Sequence, residues 1–294
     1  MSREPLAANS TDESQLEFFG HKHVTEISQS GPGLRQDLRE IWFYRDLLAL
    51  LIRRDISVRY KQSAVGLGWA VVQPLLTMLI FTVVFGNFAK LPSEGYPYAV
   101  FTMCALVPWM LFSRALGGAS GSIVGSSNMI TKVYFPRLIL PISKTISGIA
   151  DFAVALVLLA ALLALYRVHP TWEGVLLLPV FVLMALATAL GIGLWLTALN
   201  VKYRDVGLLV PFLTQIWMYL SPIAYSTEII PERWIWLYSL NPIAGVVEGF
   251  RWALLGKTAP DLGPLLLSGS MVLLLLFSGL WYFRRTERHF ADTI

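Results

Sequence analysis

The side chains that could carry out chemistry in this sequence are few and widely spaced. Gly256-Lys257-Thr258 has the ending of a phosphate-binding loop, but that loop needs a further Gly five positions before the Gly-Lys pair, and the position holds Arg251. The sequence also lacks the Asp-x-Asp pair for metal-bound sugar nucleotides, the Gly-x-Ser-x-Gly elbow and the His-Glu-x-x-His motif. We therefore expect this chain neither to bind ATP nor to act as an enzyme.

Metal ligands are equally scarce. Cys104 is the only cysteine and lies in an apolar run, which excludes a disulfide framework and a cysteine-based metal site. His21-x-His23 could hold a metal, although a solvated tail is the simpler interpretation. We expect no metal site and no cofactor in this chain.

Asp151 is the one carboxylate predicted at appreciable depth within an apolar segment. Carboxylates there are usually paired or functional. Lys144 lies two turns away on a similar face, at about 10 Å, and would need a bridging group. A proton-coupled carrier would use such a residue, but no His or Glu relay accompanies it, so we favour a structural or cavity-facing polar site.

The composition explains why these residues are isolated. Of 294 residues, 55% are hydrophobic and 14% charged, against about 25% charged in an average soluble domain. Residues 1–61 hold 18 of the 42 charges, so the remaining 233 residues carry only 24. A soluble protein could not cover this much apolar surface with so few charges, and we predict a multispan membrane protein.

A membrane-crossing helix needs about 20 mostly apolar residues. Six segments qualify as predicted spans, at about 65–89, 96–116, 138–166, 174–200, 206–226 and 262–284. Placing both termini in the cytoplasm puts 18 basic residues inside and five outside, as the positive-inside rule favours. Residues 1–33 are predicted to be a disordered cytoplasmic tail, and residues 289–294 a second one; no cleavable signal peptide is visible.

Three segments differ from both loops and spans. Residues 34–61 form a partly amphipathic, basic helix with a predicted break near Trp42–Tyr44, suited to the cytoplasmic interface as a mere anchor or also as a docking element. The loop at about 115–137 contains a short predicted helix, starting within Asn128–Thr131 and ended by Pro136. It leaves Tyr134 and Phe135 exposed, either as a knob for a protein socket or as an interfacial anchor.

The outer segment 228–256 is too apolar for a free loop. Asn241, Pro242 and Gly256 suit the N-cap, first position and C-terminal cap of a helix of about 14 residues, roughly 21 Å long. Because this is shorter than the hydrocarbon core of about 30 Å, we predict two short re-entrant helices. Glu248 and Arg251 should face each other, three residues apart.

The segment Arg53-Arg-Asp-Ile-Ser-Val-Arg59-Tyr60-Lys-Gln-Ser63-Ala-Val-Gly66-Leu-Gly68-Trp69, followed by Gln73-Pro74, resembles the signature of permease subunits of type 2 ABC exporters for polysaccharides such as O-antigen, capsule and teichoic acid. Weaker similarities follow in the same order: Lys132-Val-Tyr-Phe135-Pro136-Arg137, Asn200-x-x-Tyr203-Arg204-Asp205 and Asn241-Pro242. The resemblance covers residues 35–288.

This resemblance implies an all-α integral membrane protein with six transmembrane helices, an N-terminal amphipathic interface helix (34–61) and two short re-entrant extracytoplasmic helices before the last span. It implies a homodimer in the bacterial inner (plasma) membrane, with two ATP-binding cassette subunits on the cytoplasmic side that carry ATP and Mg. The substrate would be an undecaprenyl-diphosphate-linked polysaccharide; membrane lipids are further partners, and nucleic acid is not.

The resemblance also assigns roles to residues. The ATPase-coupling residues would be Arg54, Arg59, Tyr60, Asn128, Lys132, Tyr134, Phe135 and Pro136. The extracytoplasmic gate would contain Trp234, Trp236, Asn241, Pro242, Glu248, Arg251 and Trp252. The cations Arg53, Arg54, Arg59 and Lys61 suit a diphosphate lipid head, although phospholipid or ATPase contacts would use them equally well. Two alternatives stay open: a type 2 permease for a drug or small lipid, and a membrane-embedded polyprenyl-lipid glycosyl- or acyltransferase.

Overall fold

The computed structural model describes residues 34–61, 68–256, 261–287 and 290. The chain divides into two units, residues 1–39 and 40–294, and only residues 34–39 of the first are described. Several predictions lie outside the described residues: the tail 1–33 with His21 and His23, the start of the first span with Ser63 and Gly66, the Lys257-Thr258 pair, and residues 291–294.

All regular structure in the described part of the chain is helical. The α-helices are α1 (Leu34–Phe43), α2 (Arg45–Lys61), α3 (Gly68–Phe81), α4 (Tyr98–Ser120), α5 (Ser127–Ile130), α6 (Ile139–Ser147), α7 (Ile149–Leu165), α8 (Trp172–Lys202), α9 (Val206–Leu220), α10 (Glu232–Ser239), α11 (Pro242–Leu255) and α12 (Leu262–Glu287). A π-helix (Thr82–Phe88) extends α3, and 3₁₀ turns occupy Val124–Ser126 and Thr227–Ile229.

Among the described residues, five helical segments are long and apolar enough to cross a membrane: Gly68–Phe88, Tyr98–Ser120, Ile139–Leu165, Trp172–Lys202 and Leu262–Glu287. They coincide with five of the six predicted spans. The segment predicted at 206–226 contains α9, an apolar helix of only 15 residues. At 1.5 Å per residue it is about 22 Å long, so the sixth span remains a prediction.

The third of these segments bends at Gly148, where α6 gives way to α7. Three buried hydroxyls precede the bend, and each donates to a carbonyl three or four residues earlier: Ser143 to Leu140, Thr145 to Pro141 and Ser147 to Lys144. Such back-bonding competes with the helical ladder and bends helices.

Residues 34–61 form two helices rather than one, and the predicted break is confirmed because α1 ends at Phe43 and α2 begins at Arg45. Leu51 is the buried residue of α2, in a cluster with Ile123, Ile139 and Phe283.

Helix α4 is the enclosed element of the fold. In its most apolar stretch of 18 residues, 78% are buried by the surrounding helices, against 17% to 33% in the other four long segments. Helices α6, α7, α8 and α11 pack around it. Behind it, α8 and α12 meet at Gly191 and Gly279, where a Cβ on Gly279 would lie 2.1 Å from the Gly191 carbonyl oxygen.

Candidate functional site

Asp55 of helix α2 forms an ion pair with a residue that is distant in the sequence. The Asp55 carboxylate accepts from the Lys144 Nζ at 3.0 Å and from the neighbouring Arg54 at 3.1 Å. Lys144 lies on α6, so this ion pair connects α2 to the third span. The sequence left open whether Lys144 could reach Asp151 with a long reach or through a bridging group; Lys144 pairs with Asp55 instead.

Asp151, at the start of α7, is the centre of a second polar cluster. Its carboxylate is 7% exposed and accepts from Arg59 of α2 and from the Arg114 Nη1 of α4 at 2.7 Å. Tyr60 donates to the other carboxylate oxygen, and Gln73 of α3 accepts from Arg114 at 2.7 Å. Asp151 is thus a carboxylate paired with two guanidinium groups, and its assignment as a structural or cavity-facing polar site stays a prediction.

Tyr60 contributes to this cluster as a hydrogen-bond donor. Burial raises the pKa of Tyr60 to about 12, and its hydrogen bond to Asp151 adds to the rise. The phenol therefore keeps its proton at neutral pH and remains a donor to the carboxylate. Arg53 and Lys61 lie exposed on the same helix, whereas Arg59 is directed to Asp151.

The loop before α6 presents one aromatic side chain and buries the next. Tyr134 is 70% exposed and Phe135 only 5%. The prediction that both rings are exposed is wrong for Phe135, which lies in the cluster of Leu51, Ile139 and Phe283. Arg137 donates to the Glu287 carbonyl of α12, so a buried ring and a partly buried hydrogen bond fix the chain directly after Tyr134.

The short helix predicted before Pro136 is present as the single turn α5, Ser127–Ile130, and ends well before that proline. Asn128 and Lys132 are exposed beside Tyr134, while Pro136 is half-buried. The exposed members of the predicted coupling set on this loop are thus Asn128, Lys132 and Tyr134.

The second of the two short helices in segment 228–256 begins and ends as the sequence predicts. Asn241 Oδ1 accepts from the Ile243 backbone N–H at 3.1 Å, Pro242 is the first helical residue, and Gly256 adopts a left-handed φ of 71°. Asn241 also accepts from the Trp217 indole at 2.9 Å and donates to the Ser221 hydroxyl at 3.0 Å. It therefore fixes the junction of α9, α10 and α11.

Arg251 of α11 is fully buried. It donates to Glu248 at 3.2 Å, as the spacing predicts, and to the backbone carbonyls of Tyr225 and Ile223 at 3.2 and 3.3 Å. Trp234 and Trp236 of α10 are exposed, and Trp252 is half-buried against Phe181. The predicted gate residues thus divide into a buried polar anchor and an exposed aromatic face.

Sequence reasoning missed the short loop that holds this outer segment. Tyr96 donates to the Leu255 carbonyl at 2.5 Å, Tyr98 donates to the Ala224 carbonyl, and Ser226 donates to Glu94. The three contacts join the loop before α4, and the first residue of α4, to parts of the chain more than a hundred residues away. The one sequence feature that could have indicated these contacts is the pair of tyrosines, Tyr96 and Tyr98, on either side of Pro97.

The described residues form a bundle of long apolar helices with a polar cluster beside α2, a loop with an exposed tyrosine before α6, and a pair of short helices held by hydrogen bonds. This is the arrangement of a multispan membrane transport subunit, in which nothing resembles a reaction centre among the residues that the structure describes. Residues 46–255 match the ABC-2 type transporter family, and the chain belongs to that family.

Curated relatives carry names from the same class. The O-antigen export system permease protein RfbA of Myxococcus xanthus is 30% identical over 259 residues, covering 87% of this chain and 98% of the relative. RfbA of Klebsiella pneumoniae is 27% identical, with 70% and 79% covered. The polysialic acid transport protein KpsM of Escherichia coli is 24% identical, with 81% and 92% covered. Membership confirms the prediction of a transport subunit rather than an enzyme.

Proposed function

We propose that this chain is the membrane-spanning permease of an ATP-driven polysaccharide exporter. The observation that carries the proposal is the similarity to the Myxococcus O-antigen permease over almost the whole length of that relative. The similarity to a polysialic acid transport protein adds a second glycan exporter. The transferase alternative loses its support, because the matched family consists of transporters.

The working unit in this proposal is a homodimer with two ATP-binding cassette subunits. A chain without a phosphate-binding loop can drive uphill export only if another subunit binds ATP and contacts two permease states differently. Both termini would lie in the cytoplasm, and α9 would serve as the fifth of six spans in the inner membrane. The distribution of basic residues supports that orientation.

The ATPase would press on α1–α2 and on the loop at 121–137. The exposed side chains of Tyr134, Lys132 and Asn128 support this role, because they project from a loop whose neighbouring Phe135 and Arg137 are fixed by buried contacts. A rigidly mounted contact surface can transmit displacement, whereas a flexible one would absorb it.

Helices α10 and α11 would form the extracytoplasmic gate. Neither is long enough to cross a membrane, since α11 has 14 residues and α10 has eight. Exposed Trp234 and Trp236 would face the exit or the outer interface. The buried Arg251 and the capping Asn241 would keep the pair re-entrant and rigid.

The substrate would be a glycan linked to undecaprenyl diphosphate. Arg53 and Lys61 are exposed on α2, where cations would attract a diphosphate head from the inner leaflet. A drug or small-lipid permease of the same family is the remaining alternative, and it would need no such head group.

The test is purification of the tagged chain with its partners and reconstitution into vesicles. We expect an ATPase subunit to co-purify and ATP to drive a lipid-linked glycan, but not an unrelated lipid, into a compartment where an external lectin or glycosidase detects it. Sugar transfer by the chain without an ATPase would overturn the proposal, and export of small lipids alone would favour the alternative.

A further inference from the structure

Two ion pairs of opposite polarity join α2 to the third span. On α2, Asp55 and Arg59 lie one turn apart. On the α6–α7 segment, Lys144 and Asp151 lie two turns apart across the bend at Gly148. Asp55 pairs with Lys144 at 3.0 Å, and Arg59 pairs with Asp151. We call these four residues the charge clasp.

The order of charges in the clasp specifies one register. If α2 slid forward by one turn, Asp55 would move towards Asp151; if it slid backward, Arg59 would move towards Lys144. Either displacement places like charges together, which is repulsive where a matched pair is attractive. The clasp therefore opposes sliding of α2 in both directions along the third span.

Burial makes the clasp more costly to break than a surface ion pair. Both carboxylates are 7% exposed, and every cation in contact with them keeps only part of its surface in solvent. Exposed pairs contribute little, whereas removing one partner of a buried pair leaves an uncompensated charge. Arg114, held by Gln73, gives Asp151 a second cation and ties α3 and α4 to the same carboxylate.

Both carboxylate oxygens of Asp151 already have partners, which argues against a role as a proton carrier or as a ligand site. One of its oxygens accepts from two guanidinium groups, and the other accepts from Tyr60. A proton carrier needs a carboxylate that can exchange protons along a relay, and a ligand site needs groups free to bind. The arrangement instead suits a joint that carries force.

We propose that the charge clasp positions α2 on the third span and makes α2, α6 and α7 move as one body when the ATPase displaces α2. The proposal rests on the proposed function for the source of that displacement. Asp55, Lys144, Arg59 and Asp151 are positioning residues in this scheme and do not contact the substrate.

Charge reversal in the complete permease–ATPase complex tests the clasp. Asp55→Lys and Lys144→Asp should each lower the amount of glycan exported per ATP hydrolysed by roughly tenfold, the scale expected when a coupled pair is broken. The double variant carrying both reversals should restore most of that ratio, because the pair is rebuilt with inverted polarity. Glu173→Lys makes the same charge change at an exposed position of α8, outside the surfaces that the ATPase would contact, and should leave the ratio unchanged.

The readout separates positioning from folding. The export-to-hydrolysis ratio is measured only on complexes that co-purify with their ATPase at wild-type yield, and Asp55→Asn with Lys144→Gln replaces the reversals if those fail to assemble. Unchanged ratios in the single variants, or a double variant no better than the singles, would overturn the proposal.

If the wild-type complex exports no glycan, the proposed function fails instead. The clasp is then tested by a double-mutant cycle on thermal unfolding, where additive losses would refute it.

Discussion

The guanidinium carbon of Arg251 lies 3.7 Å from the centroid of the Phe101 ring. The contact joins α11 to the enclosed helix α4 through a cation whose two terminal amino groups, Nη1 and Nη2, donate to Glu248 and to two backbone carbonyls. A cation on an aromatic face away from water is worth about 2 kcal/mol or more. Arg251 thus adds a buried polar and aromatic connection between this segment and the centre of the bundle, beside the hydrogen bonds that Tyr96 and Tyr98 make to it.

Arg251→Met should therefore destabilise the protein by about 3–5 kcal/mol, because it leaves Glu248 and two buried carbonyls without their donor. Arg251→Lys should cost less but not restore stability, since one ammonium cannot reach all three acceptors. Thermal unfolding in detergent measures both. Glu248→Gln, at a more exposed position, is the control with a smaller expected loss; equal melting temperatures for all three variants would contradict this account.

Replacing Asn241 should loosen the junction of α9, α10 and α11. Asn241→Ala removes the N-cap and two side-chain partners, for an expected loss of about 2 kcal/mol. Asn241→Asp keeps the acceptor for Ile243 and Trp217 but cannot donate to Ser221, so about half that loss is expected. Trp217→Phe removes one hydrogen bond and is the matched comparison. Proteolysis of the outer segment reports the loosening, and equal protection of all variants would refute the role.

Gly279 is predicted to tolerate no side chain. Gly279→Ala drives a Cβ into the Gly191 carbonyl of α8 and should cost about 1–3 kcal/mol through overpacking. Gly269→Ala on the same helix meets nothing within 4 Å and should be neutral or slightly stabilising. Comparing the two melting temperatures isolates the helix contact from helix propensity. A Gly279 variant as stable as the Gly269 variant would argue against the close approach.

Tyr134 and Phe135 should respond differently to truncation. Phe135→Ala empties a buried site and should cost about 3–5 kcal/mol of stability. Tyr134→Ala removes an exposed ring, so the protein should fold normally but lose export while its ATPase continues to hydrolyse ATP. Val133→Ala, also at an exposed position, controls for surface truncation. Normal export by Tyr134→Ala would remove this ring from the coupling surface.

Cysteine labelling tests the orientation directly. Cys104 is buried, so Cys104→Ala gives a background without thiols for single cysteines at exposed Trp234 and Tyr134. A membrane-impermeant maleimide added outside intact spheroplasts should label Trp234→Cys, and Tyr134→Cys only after lysis. The reverse pattern would invert the topology.

The sequence predicted features that depend on neighbours in the chain. The cap at Asn241, the helix-ending Gly256 and the Glu248–Arg251 pair are local, with partners within a few residues. The clasp could not be predicted, because Asp55 and Lys144 are 89 positions apart and their meeting depends on how α2 lies against α6. Phe135 was assigned to the surface for the same reason: the cluster that buries it comes from distant helices.

The enclosure of α4 has a consequence for how the chain is made. Among the five long segments it has the lowest mean hydropathy, 1.6, and the largest buried share. Of its neighbours only α3 precedes it, whereas α6, α7, α8 and α11 are all synthesised after it. The translocon must therefore release into lipid a helix poorly matched to lipid, whose final surroundings exist only once residue 255 has been inserted. Nascent chains stopped before that point should be early substrates for membrane quality-control proteases.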